Sequence, residues 1–366
     1  MKVAIATCFE SNEERLAFVY EACRSRNYET CIITSDFSHI HKKKRKSIPE
    51  GFVAIPTEAY QKNISFGRLH SHRKFSKDAF ELIEKYSPDL IWLMAPANSL
   101  ILEADKYKKK NPHVRIIIDM IDMWPESLPR QINKNVFPLN LWRNIRSRHI
   151  GCADFLVTEC DLYQDVLKRE FGGRMRTIYW SRDSKAIQIK PDLPKDRISL
   201  CYIGSINNII DIDRIESLIA GSDMPVDLHI IGYGEKKEEM VNRLSRVCQV
   251  HYYGEIRDEE QKSEIFRKCH AGINVYKEGL YIGLTVKCID YFEHGLPIIN
   301  NIKGDTWKLV EENHAGINVE KDTAICSDFL QKMRQDNQII YGLFNSRFTK
   351  ESFMYACLQV IDEVLR

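Results

Sequence analysis

Two doubly wound, Rossmann-like α/β domains are the fold class this sequence predicts, and three observations predict it. Short runs rich in β-branched residues alternate with helical patterns through most of the chain, as parallel strands joined by crossover helices require. The runs fall into two series, separated by the polar, proline-bearing stretch from Arg182 to Arg197, which reads as a linker. A length of 366 residues also exceeds what one compact core usually holds.

In the first series the strands are predicted at Val3 to Ala6, Thr30 to Thr34, Leu90 to Met94, Arg115 to Asp119 and Phe155 to Thr158. In the second they fall at Ser199 to Ile203, Asp227 to Ile231, Val250 to Tyr253, Ala271 to Val275, Pro297 to Asn300 and Gly316 to Val319. Phe353, Cys357, Val360, Ile361 and Val364 recur at helical spacing in the last segment, so 349–366 is expected to be an amphipathic helix packed on one of the domains.

Hydrophobic residues at 44% and charged residues at 28% belong to an ordinary globular chain. No apolar run approaches the roughly 20 residues that cross a bilayer, and the N-terminal segment, entering a strand directly, is read as lacking a secretion signal. Eleven cysteines without a C-x-x-C pair suit reduced thiols in a cytosol and, for the most part, core packing. The expected location is therefore cytoplasmic.

Net charge is +2, but Lys and Arg exceed Asp and Glu by 8 up to residue 150 and fall short by 6 beyond it. The basic runs are 42–46, 68–74 and 108–110. Such clusters suit an anionic membrane surface, each basic residue contributing about 1 kcal/mol near lipid, and equally suit solvated loops. A peripheral place on the inner face of a membrane follows from the first reading. Nucleic acid is not an expected partner, because no binding motif accompanies the runs.

The most informative stretch is 278–299, EGLYIGLTVKCIDYFEHGLPII. A loop through Gly283 and Leu284 leads to Thr285, which can cap the helix that follows. The N–H groups and dipole of such a helix start suit a diphosphate. Lys287 adds a charge for phosphate oxygens, and Asp290, one turn on, can face the same ligand and accept hydrogen bonds from a ribose. The same pair could instead form a surface ion bridge. In the first half Asp122, in the run Ile121-Asp122-Met123-Trp124-Pro125-Glu126, follows a strand, and a carboxylate at a strand's carboxyl end is where an α/β sheet binds ligands. It can orient an acceptor hydroxyl or act as general base. It can also cap the chain after Trp124. Asp36 and His39 follow the second strand and are further candidates to contact the same ligand. The first turn, 7–12, lacks the Gly-x-Gly-x-x-Gly of a dinucleotide site, which speaks against a nicotinamide enzyme.

The 278–299 stretch resembles the donor-binding signature of retaining glycosyltransferases of family four, in the branch that builds bacterial polysaccharide and lipopolysaccharide. There an acid five positions before Gly-x-Pro holds the nucleotide ribose, which is Asp290 here, a lysine commonly stands three before it, which is Lys287, and Tyr291 matches the aromatic that follows. Cys201 to Gly204, Leu228 to Gly234 and His251 to Ile256 arrive in the family's order, and Gly304-Asp305-Thr306 resembles the segment after the signature. The 122–126 run resembles the family's Asp-x-Trp-Pro-Glu segment, which adds Trp124 as an acceptor contact.

What the resemblance implies is a GT-B fold, with two Rossmann-like domains facing each other across a cleft. Residues 1–182 with the helix 349–366 would bind acceptor, and 183–348 the nucleotide diphosphate sugar. Gly204, Ser205, Tyr253, Gly254, Gly283, Leu284, Thr285, Lys287 and Asp290 would contact the donor, Tyr253 and Gly254 at the base. Asp122 and Lys287 would be catalytic. The implied reaction transfers a hexosyl group with retention to a saccharide or lipid-linked saccharide. Lys287 and the helix start would stabilise the departing diphosphate, an electrostatic role that needs neither metal nor cofactor. Asp211-Ile212-Asp213 has the letters of a metal-holding Asp-x-Asp motif but falls at a helix start.

Two departures stand out. The family's glutamate eight residues before the ribose acid falls on Ile282, so Glu278 fills it only if the loop is longer. The usual Arg and Lys after the first glycine of the second domain are replaced by Ser205-Ile206-Asn207-Asn208, with Arg182 or loop amides as substitutes. A nucleotide-sugar epimerase of similar architecture and a non-catalytic partner subunit of a transferase are the alternatives.

Overall fold

The computed structural model describes residues 1–128, 133–137, 139–320 and 323–366. It divides into two compact units, Met1–Trp180 with Lys350–Arg366, and Ser181–Thr349. The first carries strands β1 (Lys2–Ala6), β2 (Glu29–Ser35), β3 (Phe37–Ser38), β4 (Lys43–Lys44), β5 (Phe52–Ile55), β6 (Leu90–Ala95), β7 (Arg115–Met120), β8 (Phe155–Thr158) and β9 (Arg174–Thr177). The second carries β10 (Ile198–Ile203), β11 (Val226–Ile231), β12 (Gln249–Gly254), β13 (Ala271–Asn274), β14 (Ile298–Asn300) and β15 (Gly316–Asn318).

The large sheet of the first unit runs β5-β2-β1-β6-β7-β8-β9 and that of the second β12-β11-β10-β13-β14-β15. Every pairing within them is parallel. In each sheet the strand order reverses direction once, between β1 and β6 and between β10 and β13. At such a point the loops part on either side and leave a crevice at the carboxyl ends. All eleven predicted strands are present. The edge strands β5 and β9 and the hairpin β3–β4 were not foreseen, because an edge has one solvated side and does not require a continuous apolar run.

Central strands are apolar throughout, as burial on both faces demands: β6 and β10 are buried along their whole length. The terminal helix Lys350–Leu365 belongs to the first unit, where Phe353, Cys357, Val360 and Ile361 join the core beside Phe18, Val19 and Ala22 of the helix Glu13–Ser25. Seven of the cysteines are buried. The stretch 182–197 has no helix or strand but is laid along the second unit, its amides of Ile187, Ile189 and Asp192 donating to Glu293 O, Tyr341 Oη and Arg267 O at 2.7, 2.8 and 2.9 Å. Among the described residues no helix is long and apolar enough to cross a membrane.

Beneath the first sheet's crevice lies a fully buried ion pair. Arg15 donates Nε and Nη2 to Asp119 at 2.9 and 2.9 Å, and Trp92 Nε1 adds a bond at 3.3 Å. Removing one partner strands the other charge. Asp119→Ala is expected to destabilise the first unit by about 3–5 kcal/mol, read as a fall in its urea midpoint with an unchanged slope.

Candidate active site

In the second unit the crevice between β10 and β13 is shaped by glycines. Gly204, just past β10, has φ +116°, a conformation that side chains rarely adopt. A Cβ at Gly232, just past β11, would sit 2.0 Å from Gly204 O, so the two loops can touch only if residue 232 is glycine. Ser205 is exposed, and its carbonyl accepts from Tyr202 Oη at 2.7 Å.

Lys287, in the helix Val286–Glu293, reaches into this crevice. Its Nζ lies 3.9 Å from the centroid of Tyr202 and 4.9 Å from that of Tyr276, the aromatics at the ends of β10 and just beyond β13. A Cβ on Gly204 would stand 3.9 Å from it. The amine is buried and has no hydrogen-bond partner among the described residues. Burial pushes its pKa down from 10.5 to about 7, against the weaker pull of Cys288, Cys201 and Asp290. The two ring faces hold the charged form only in part. The amine is thus free to donate to an acceptor brought to the Gly204 loop.

Asp290 does not bridge to Lys287. Its Oδ1 accepts from Arg182 Nη2 at 2.8 Å and from Nε at 3.3 Å. The surface ion pair considered between the two helix residues is therefore replaced, and Arg182, expected as a substitute phosphate ligand, is engaged on the ribose candidate instead. Glu278 lies exposed on the loop before the helix.

Thr285 occupies the N-cap position but does not cap with its side chain. Its hydroxyl donates to Asn274 Oδ1 at 2.8 Å, a better acceptor fixed within the sheet. Asn274 in turn donates to Asn300 at 2.8 Å, and Asn300 to Asn318 at 2.7 Å, across three strands in register. This ladder, ending β13, β14 and β15, was missed, although an asparagine closing three successive apolar strands was its visible signal. Gly283 is held by Thr306, whose N and Oγ1 donate to its carbonyl at 2.9 and 2.8 Å. The segment 304–306 thus opens the helix Asp305–Asn313 and fixes the 283 loop. Leu284 is half-buried between them. Tyr253 and Gly254 lie on the edge strand β12. Tyr253 Oη is 2.8 Å from His229 Nδ1, and Gly254 O accepts from Gly232 N at 2.7 Å. Asp211 caps the helix Ile212–Ala220, accepting from Arg214 N at 3.0 Å, and Asp213 pairs with Arg243.

In the first unit a cavity of about 300 Å³ opens where β1, β6, β7 and β8 end, lined by Asn12, His39, Arg68, Asp122, Glu159 and Tyr163 among others. Asp122 is inside it. Its Oδ1 accepts from Ser127 Oγ at 2.6 Å, and burial raises its pKa. Glu159, not foreseen from sequence, is more strongly affected: burial raises its pKa to about 7, against the hydrogen bonds of Trp180 and Tyr163 and the charge of Arg15. Trp180 Nε1 donates to Glu159 Oε2 at 2.5 Å. His39 also lines the cavity, with its Nδ1 hydrogen-bonded to Tyr60 Oη, and burial together with Arg68 and Lys42 lowers its pKa to about 4.

Asp36 and Trp124 lie outside this lining. Asp36 accepts from Lys44 Nζ at 2.6 and 2.7 Å and from Thr57 N at 2.8 Å, so its carboxylate braces the β3–β4 hairpin and is not among the cavity residues. Trp124 is buried against Trp142 at 5.5 Å, with the Arg68 guanidinium 5.1 Å from its ring. It forms a wall behind Arg68, since an indole of that size is worth more as packing than as surface. Glu126 of the same run pairs with buried Arg146 at 2.9 and 3.0 Å. Much of the basic charge is also spent locally: Lys44, Arg45, Lys108 and Lys109 pair with Asp36, Glu13, Asp154 and Asp105.

No family model matches the chain, and no curated protein matches it in sequence. Solved structures do match. Sucrose-phosphate synthase from Thermosynechococcus elongatus superposes with a TM-score of 0.67 at 12% identity, over 100% of this chain and 99% of that one. The lipopolysaccharide outer core galactosyltransferase WaaB, in its apo form, gives 0.66 at 16%, over 99% of each chain. HepE of Anabaena in complex with UDP gives 0.66 at 12%, again over 99% of each. The architecture read from the two sheets is thus the GT-B fold of nucleotide-sugar glycosyltransferases, shared along essentially the whole chain.

Proposed function

We propose that the chain transfers a hexosyl group, with retention, from a nucleoside diphosphate sugar to a saccharide or lipid-linked saccharide, in the manner of the family-four enzymes of bacterial surface polysaccharide synthesis. The observation that carries this reading is Lys287, a buried amine without an acceptor, aimed at the glycine crevice where β10 and β13 diverge. In this reading the diphosphate lies against Gly204, Ser205, Gly283, Leu284 and the start of the helix that Thr285 precedes. Lys287 neutralises charge on the leaving diphosphate, a role worth most in a water-poor site. The ribose is held by Asp290, whose Oδ2 is left for it once Arg182 fixes Oδ1, and the base lies toward Tyr253 and Gly254. Asp122 orients the acceptor hydroxyl or takes its proton. No metal or cofactor has a part in the proposal, and contact with anionic lipid rests on those basic residues of the first half that remain unpaired.

Calorimetry with UDP, GDP, ADP and CMP, with and without magnesium, tests the donor site. One diphosphate is expected to bind independently of metal, and Asp290→Ala to weaken it about tenfold or more, as loss of a charged hydrogen-bond partner implies. Binding of none of the four would make the inactive, partner-dependent subunit the better account. Conversion of a nucleotide sugar to its epimer without any acceptor would favour the epimerase.

A further inference from the structure

Arg68 and His39 line the first unit's cavity, and Lys42 and His72 stand beside them. Arg68 is 7% exposed, and among the described residues its guanidinium makes one hydrogen bond, from Nη1 to Asn63 O at 3.0 Å. Among the described residues no carboxylate lies within ion-pair distance of it. Its carbon lies 5.8 Å from the ring of Phe9 and 5.1 Å from that of Trp124, so its flanks are aromatic. Lys42 Nζ sits 4.8 Å over Tyr60 and 3.5 Å from His39 Nδ1. His72 is buried 5.2 Å from Phe9, with neither ring nitrogen hydrogen-bonded among the described residues.

These groups feel one another. Burial first, and then Arg68, lowers the pKa of Lys42, His39 and His72 alike. Glu10, whose charge acts on His39 and Lys42, is taken up by Ser38 Oγ and the amides of His39 and Ile40 at 2.6, 2.9 and 2.9 Å. Asp122 is bonded to Ser127, and Glu159 gives up part of its charge to burial. A buried guanidinium left without a bonded anion is a costly arrangement. It is retained where a ligand supplies the anion, and a guanidinium matches carboxylate or phosphate with two parallel bonds.

We propose that the acceptor of the transfer bears an oxyanion, a carboxylate or a phosphate, which docks on Arg68 beside His39 and Lys42 while a hydroxyl of the same molecule meets Asp122. This rests on the transferase reading for what happens to the molecule, though not for its binding. A cavity of about 300 Å³ is at the small end of ligand sites and suits one sugar ring with its charged group.

The test is calorimetry on the full chain with three probes, glucuronate, glucose 1-phosphate and glucose, with UDP titrated separately into each protein. At least one charged probe is expected to bind tenfold or more tighter than glucose, and to weaken as salt is raised while glucose does not. The tighter of the two names the anion. Arg68→Gln is expected to abolish the preference and Arg68→Lys to keep part of it, both with wild-type affinity for UDP. If Arg68→Gln does not fold, Lys42→Gln is expected to reduce the preference about threefold, as loss of a partly exposed neighbouring charge implies. Equal binding of the three probes to wild type, or a preference that survives Arg68→Gln, overturns the proposal and leaves the donor site untouched. Absence of binding by UDP, GDP, ADP and CMP alike, alongside a clear anion preference, sinks the transferase reading instead.

Discussion

Lys287→Met is expected to weaken diphosphate binding by about 2–4 kcal/mol, the cost of losing a charged partner to a buried phosphate, and at the same time to raise the stability of the ligand-free protein. The two effects have one cause. In the free protein the amine is buried against Tyr202 and Tyr276 with nothing to accept its protons, so a methionine of similar length removes a penalty without opening a cavity. In the proposed complex with a diphosphate the same amine is a ligand. A merely structural lysine would show stability and affinity falling together, so calorimetry and thermal unfolding on one sample separate the two.

The pH dependence follows from the same group. Lys287 is held at about 7 in the folded chain and returns to its ordinary 10.5 when unfolded. Between these values the unfolded chain holds the extra proton, so this residue makes stability rise with pH across that window. Below about 7 both states are protonated and the full penalty stands. A bound diphosphate pulls the pKa back up, so binding at about pH 8 takes up close to one proton. Calorimetry in buffers of different ionisation enthalpy measures that proton, and Lys287→Met removes it.

Asp122→Asn is expected to lower the rate of transfer by about 100- to 10,000-fold, the range lost with a general base, with UDP affinity unchanged. The amide keeps the bond from Ser127 Oγ at 2.6 Å, so the cavity should survive the exchange. Burial raises the carboxyl pKa of Asp122. The rate should therefore rise with pH through a midpoint above the ordinary carboxylate value, and that limb should vanish in the variant. A loss of only a fewfold, with the limb intact, would reduce Asp122 to a cavity wall and direct attention to Glu159.

Sequence by itself determined the inner strands of both large sheets, because parallel strands buried on both faces must be continuously apolar and their connections must be helical. Val3 to Ala6 and Leu200 to Ile203 could hardly be anything else. It also determined the helix that carries Lys287 and Asp290, through spacing and a recognised signature, and the acid at the end of β7. Only the tertiary structure decided what those side chains touch. Hydrogen bonds such as those from Asn274 to Asn300 and from Asn300 to Asn318 arise from strands laid side by side by strand order, which local pattern does not encode. The same holds for Arg182 on Asp290, 108 positions away in the chain. Arg68 and Glu159 were invisible for a related reason. Burial of a charge is a property of the whole sheet and its loops, and it is burial that turns an ordinary arginine or glutamate into a group poised for a ligand.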